Sequence, residues 1–139
     1  MTIYAISTAP GTAGLAVIRM SGPRALEALN AIVRNKEFIH SKFTKCKFYH
    51  PVNHKHLDSG LAVYFKSPKS FTGEDVVELH IHGGYANTSI ILSALASIKY
   101  LRIANQGEFT KRAFINNKID LTGIEALGDL INSQTEQQH

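Results

Sequence analysis

The stretch Asp75-Val76-Val77-Glu78-Leu79-His80-Ile81-His82 carries titratable side chains at a spacing that could do chemistry. Strand alternation places Val77, Leu79 and Ile81 on one face and Val76, Glu78, His80 and His82 on the other, successive side chains on a face lying about 6.5–7 Å apart. A carboxylate set into a sheet is costly unless paired, so Glu78 is expected to meet a charged or hydrogen-bonding partner. Two imidazoles beside a carboxylate are also donors suited to a divalent ion, which makes a stand-alone metal-dependent hydrolase using His80 and His82 one alternative. Spacing signals no third ligand and no cysteine lies nearby, so the pair reads first as pocket lining. Gly83-Gly84 follows at once, leaving room for a ligand or another backbone ahead of a helix whose N-terminus favours anions.

A second polar cluster runs from Gly107 to Lys118. On helical spacing Phe109, Ala113 and Phe114 are expected to pack inward, with Glu108, Lys111 and Arg112 pointing out. Lys118 follows the turn at Asn116-Asn117, which could hold it over a cleft. Asn117-Lys118-Ile119-Asp120 matches the four-residue motif with which Ras-like GTPases read guanine, yet the chain has no Gly-x-x-x-x-Gly-Lys-Ser/Thr phosphate loop. This stretch alone is not expected to bind GTP. Gly11-Thr12-Ala13-Gly14 lacks both that lysine and a dinucleotide fingerprint, and reads as a turn. Cys46, the single cysteine, excludes an intrachain disulfide and a Cys-rich zinc site, fits a reducing compartment, and reads as structural on an alternating strand.

Charge is unevenly spread. The net charge of +4 divides into +7 over residues 1–73 and −3 over residues 74–139. Arg34, Lys36, Lys42, Lys45, Lys47 and Lys55 alternate with Phe38, Phe43, Phe48 and Tyr49. That interleaving supports a second alternative, a basic RNA-binding module, although a half-buried strand with a solvated loop would show the same pattern.

Several elements must position these groups. Ile3–Ser7 reads as a short strand, and the apolar run Leu15–Met20, with Arg19 near its end, as a strand buried on both faces. Ser21-Gly22-Pro23 opens a helix with Leu26, Leu29, Ile32 and Val33 on one stripe. Lys45–Tyr49 and Leu61–Lys66 form a hairpin across the polar stretch Asn53–Gly60. A helix with Ile90, Ile91, Leu92, Leu95 and Ile98 follows Gly83-Gly84, then a short strand over Leu101–Ala104 and helical turns over Phe109–Phe114. Thr122-Gly123-Ile124-Glu125 is a capping-box pattern that opens a last helix. Strands and helices mix without strict alternation, so the expected fold class is α+β, a mixed sheet with packed helices.

At 139 residues, 44% hydrophobic and 19% charged, the composition is that of a globular domain, which excludes a disordered tail or fibrous repeat. No apolar run is long enough for a membrane helix. The last helix runs into Ser133-Gln134-Thr135-Glu136-Gln137-Gln138-His139 without a stop signal, so a piece of something longer is expected.

Three long motifs in order give these residues a family. Ala9-Pro10-Gly11-Thr12-Ala13-Gly14 with Ala16-Val17-Ile18-Arg19-Met20-Ser21-Gly22-Pro23 is the first. Ser70-Phe71-Thr72-Gly73-Glu74-Asp75 running on through Glu78, His80 and His82 to Gly84 is the second. Gly107-Glu108-Phe109-Thr110 with Arg112-Ala113-Phe114, Asn116, Lys118 and Asp120-Leu121 is the third. Together they resemble the amino-terminal domain of the tRNA modification GTPase MnmE (TrmE) family. The resemblance implies a fold similar to the folate-binding domain of aminomethyltransferases, over residues 1–120, with residues 121–139 the first helix of a truncated helical domain. It implies a homodimer that binds a tetrahydrofolate, typically 5-formyl-tetrahydrofolate, through Arg19, Glu78 and Lys118. In the family that folate is thought to supply the one-carbon unit for modifying the wobble uridine (U34) of certain tRNAs, with the flavoprotein MnmG as partner.

The inserted G domain, with its GTP, magnesium and potassium, has no counterpart in this sequence. The resemblance therefore assigns GTP hydrolysis and tRNA modification to a parent protein, and folate binding and dimerisation to these residues. A pterin edge offers N–H donors that Glu78 could accept in bidentate fashion. Arg19 and Lys118 suit the ring carbonyl, the formyl oxygen or the tail carboxylates, without the sequence saying which. The implied compartment is the cytoplasm, or the mitochondrial matrix for an organellar homologue.

Overall fold

In the computed structural model, residues 1–7, 14–34 and 36–120 are described. The expected last helix at 121–139, and with it the proposed domain boundary, lies outside them. Six strands form one sheet: β1 (Thr2–Ile6), β2 (Leu15–Ser21), β3 (Thr44–Tyr49), β4 (His56–Phe65), β5 (Val76–His82) and β6 (Leu101–Ile103). Helices α1 (Ala25–Ile32), α2 (Tyr85–Ala96) and α3 (Glu108–Ile115) are interspersed. The spatial order is β3-β4-β5-β2-β1-β6, antiparallel throughout except for the parallel β1–β6 pair. The α+β expectation holds. The hairpin is there as read, with β4 starting at His56, inside the stretch taken as loop.

The helices α1 and α2 cover one face. Ile18 and Met20 of β2, Val77, Leu79 and Ile81 of β5, and Ala62 of β4 pack there with Leu29 and Ile32 of α1 and Ile91 and Leu95 of α2. Ile90, expected on the α2 stripe, is exposed instead. Among the described residues no helix is long and apolar enough to cross a membrane.

The opposite face is only partly covered, and this corrects the reading of β2. Ala16, Ile18 and Met20 are buried, while Leu15 is exposed and Val17 and Arg19 are half-buried. The strand has an apolar run but only one fully buried face, because among the described residues α3 and the segment 66–75 roof the second face near its Ser21 end and nothing roofs its Leu15 end. Ile3, Val63, Val76 and Ala113 form a smaller apolar layer under that roof.

Gly60 of β4 leaves no room for a side chain against β5. A Cβ there would stand 2.1 Å from the His80 carbonyl oxygen, which is backbone and cannot swing away. Gly60→Ala is therefore expected to destabilise the fold by about 1–3 kcal/mol through strand displacement. Thermal unfolding followed by circular dichroism checks this, and an unchanged Tm would contradict it.

Candidate functional site

Register builds the site. On the second face Arg19 of β2 stands directly opposite Glu78 of β5, which in turn stands opposite Val63 of β4. Arg19 Nε and Nη2 both donate to Glu78 Oε2, at 3.2 and 3.0 Å. Two residues along β5, His80 Nε2 lies 3.3 Å from Glu78 Oε1. Both carboxylate oxygens thus have partners, as the cost of setting a carboxylate into a sheet requires. The Arg19 and Glu78 side chains are only 27% and 18% exposed, so solvent screens the pair less than it would a surface ion pair.

Three aromatic rings collar this cluster. The Arg19 guanidinium carbon is 5.4 Å from the Phe71 ring centroid and 5.9 Å from that of Phe109. Phe43 meets His80 edge-on at 5.2 Å. Phe43 and Phe71 are both about half exposed, so they present flat apolar faces at the mouth of a charged floor. A planar heteroaromatic with a polar edge is the kind of group such a site can hold: rings for its faces, a carboxylate and a guanidinium for its edge.

The position of Phe71 and Phe109 depends on a polar network that sequence spacing misread. Glu108 and Arg112, expected to point outward, turn inward. Arg112 Nη1 donates to Glu74 Oε1 at 2.9 Å and to the Ser21 carbonyl at 3.3 Å, and Nη2 donates to the Met1 carbonyl at 2.7 Å and Glu108 Oε2 at 3.1 Å. Arg102 grips the same Glu108 carboxylate with two donors. Ser21 Oγ lies 2.7 Å from Thr72 Oγ1 and donates to Glu74 Oε1 at 2.9 Å. The reason is the shortness of α3, which buries only Ala113 and cannot be held by apolar contact alone. Lys111 is exposed, as expected.

Lys118 lies beside the loop that carries Phe71 and does not join the Arg19–Glu78 pair. Its amide donates to the Ala113 carbonyl at 2.8 Å, following Asn117 at φ 60°. A Cβ at Gly73 would lie 3.4 Å from Lys118 Cε and 2.8 Å from Asn116 Cβ, so the glycine, at φ +84°, lets this turn settle on the loop carrying Phe71. The Lys118 side chain is exposed and forms no ion pair among the described residues.

His80 and His82 do not act together. His82 Nδ1 lies 2.7 Å from Asp58 Oδ1, while Asp58 Oδ2 accepts from the His82 amide and Asn87 Nδ2, both at 2.9 Å. Burial of Asp58 would raise its pKa, but these donors outweigh it and hold the carboxyl below its ordinary range. The two imidazoles serve different carboxylates, and no group of three metal-ligating side chains occurs among the described residues. The expected projection of Glu78, His80 and His82 as one set is corrected to Glu78 and His80.

The sequence of the family described as "GTP-binding protein TrmE N-terminus" matches residues 2–118. A tRNA modification GTPase MnmE from Parvibaculum lavamentivorans is 54% identical over 137 residues, covering 99% of this chain and 31% of the relative. Proteins of the same name from Rickettsia rickettsii and Rickettsia prowazekii are 49% and 47% identical over 138 residues, again covering 31% of each relative. The chain thus spans about a third of the length of the curated relatives it matches.

Glu108 generates a prediction of its own. Hydrogen bonds from Arg102 are the main reason its carboxyl is pulled to about 2, against a smaller opposing effect of burial. A folded-state pKa below the unfolded one stabilises above the unfolded value, and that contribution is lost as pH falls from about 4.5 through about 2, to a limit of about 3 kcal/mol. Glu108→Gln should lower stability at neutral pH and flatten its fall over that acid window, measured by urea unfolding at each pH. Parallel acid profiles for the two proteins would contradict it.

Proposed function

The chain belongs to the family of TrmE amino-terminal domains, and from that premise we propose that it is the folate-binding and dimerising module of a GTPase that modifies the wobble uridine of certain tRNAs, with the flavoprotein MnmG as partner. The observation that carries the reading is the Arg19–Glu78–His80 cluster inside the collar of Phe43, Phe71 and Phe109.

The residues suit a reduced folate such as 5-formyl-tetrahydrofolate in three respects. An ionised carboxylate has about four lone-pair sites, and the three donors on Glu78 leave Oε1 able to accept from a pterin N–H. Arg19 donates one nitrogen pair to Glu78 and keeps Nη1 for a ring carbonyl or formyl oxygen. Phe71 and Phe109 offer ring faces to a flat heterocycle. Lys118, beside the loop that carries Phe71, is an exposed cation for a carbonyl or carboxylate farther out. When bound, the folate supplies the one-carbon unit; the protein orients it and excludes water on the Phe side. The fold relationship to aminomethyltransferase folate domains belongs to this same proposal.

Nucleotide turnover, with GTP, magnesium and potassium, is assigned to the two-thirds of the relatives' length that this chain does not match, and so is the contact with tRNA. A cytoplasmic location, or the mitochondrial matrix for an organellar homologue, accompanies the reading.

Calorimetric titration with 5-formyl-tetrahydrofolate tests it. Glu78→Gln keeps the shape but removes a charged acceptor, and should weaken binding about 10- to 150-fold, the range of charge-assisted hydrogen bonds. Lys118→Ala should cost less, because that side chain is exposed. A folded Glu78→Gln variant that binds as tightly as the parent would overturn the site assignment.

A further inference from the structure

A hollow of about 640 Å³ opens at the β3–β4 edge, bounded by Arg34, Lys36, Lys45 and Lys47 with Tyr49 and Leu61. Four cations and no acid supply its charged lining. Arg34 is already set in place: its guanidinium carbon lies 3.8 Å from the Tyr49 ring centroid, and Nη2 donates to the His54 carbonyl at 3.2 Å. Lys36, Lys45 and Lys47 are exposed and form no ion pair among the described residues. Like charges gathered without counter-charge raise the local positive potential and favour a multiply charged anion over a single one.

Register ties this hollow to the site described above. Lys45 is the β4 partner of Leu61, and Leu61 is the β5 partner of His80, so the three stand in one row on the face that carries Glu78. Lys47, opposite Ser59, stands one row farther along. From strand spacing and rise, Lys45 lies ~12 Å and Lys47 ~16 Å from Glu78, and the two lysines ~7 Å from each other. That is too far to serve a ring held at Glu78, and suitably placed for an anionic chain hanging from one.

We propose that this hollow receives the glutamate chain of the folate, and that it makes the protein prefer folates with several γ-linked glutamates over those with one. The inference rests on the folate reading given above. Each added glutamate brings one more carboxylate, and a ladder of carboxylates matches a ladder of lysines better than one charge does. An RNA backbone offers the same sign of charge. The tail is favoured because the hollow has the volume of a small-ligand pocket and shares a row with His80.

The test is calorimetric titration with the monoglutamate and pentaglutamate forms of 5-formyl-tetrahydrofolate, on the parent chain and on Lys45→Ala/Lys47→Ala. Both lysines are exposed, and circular dichroism checks that the variant is folded. The pentaglutamate should bind the parent chain up to about tenfold more tightly than the monoglutamate, as expected of a few partly screened charge pairs. The double variant should lose that gain and bind the two forms about equally. Equal affinities for the two forms on the parent chain would overturn the proposal and leave the folate reading standing. A gain that survives in the double variant would overturn its placement at these lysines. Absence of binding by either form would overturn both readings. No gain from the tail, together with lysine-dependent binding of an RNA hairpin, would overturn it and reassign the lysines to RNA.

Discussion

A carboxylate on an inner strand of a six-stranded sheet, four-fifths withdrawn from water, has to be met by charge or hydrogen bonds, and Arg19 meets it from the neighbouring strand. The pairing works only in one register. A slip of one residue between β2 and β5 would turn Arg19 to the helix-covered face, toward Leu79 and Ile91, and would strand Glu78 opposite an apolar side chain. The apolar alternation of both strands enforces the same register from the other side of the sheet. Core packing and the charged pair are therefore one constraint seen from two faces.

What surrounds the pair follows from how little covers it. The helices α1 and α2 fill the first face with aliphatic side chains, whereas among the described residues the second has only the short α3 and the segment 66–75. Those two are fixed by polar contacts, with Arg112 reaching Met1, Ser21, Glu74 and Glu108 from a single guanidinium. Asn116 adds a bond to the Thr72 carbonyl at 2.8 Å. This scaffold holds Phe71 and Phe109 over Arg19 while leaving the rest of the face open toward Leu61 and the lysines of β3. A site with a charged floor, aromatic walls and one open side admits a flat ring and lets whatever is attached to it run outward.

Much of this was legible in the sequence, and the exceptions have physical reasons. The alternation of β5 revealed its two faces because Val77, Leu79 and Ile81 are apolar without a break. The α+β class followed from the element order. The run Leu15–Met20 misled because Val17 and Leu15 are apolar yet sit on the half of the second face that no helix among the described residues covers. Glu108 and Arg112 misled because helical periodicity sorts residues by polarity, and a helix docked through ion pairs inverts that rule. The need of Glu78 for a partner was foreseeable, and Arg19 was named through the family motif. That the two are cross-strand neighbours depends on a pairing 59 residues apart in sequence. His82 could not be separated from His80 by spacing, since its partner Asp58 lies on another strand. Phe71 and Phe109 stood inside quoted motifs, but their closeness to Arg19 depends on the tertiary roof.

The central claim is that the Arg19–Glu78–His80 floor and its aromatic collar form the ligand pocket. Carbon-detected NMR of the chain labelled in its phenylalanine and histidine rings, titrated with 5-formyl-tetrahydrofolate, tests it most directly. The account predicts saturable shifts of Phe43, Phe71, Phe109 and His80, with intermolecular contacts from the pterin protons to Phe71 and Phe109. Saturable binding that leaves those four rings unperturbed would contradict it.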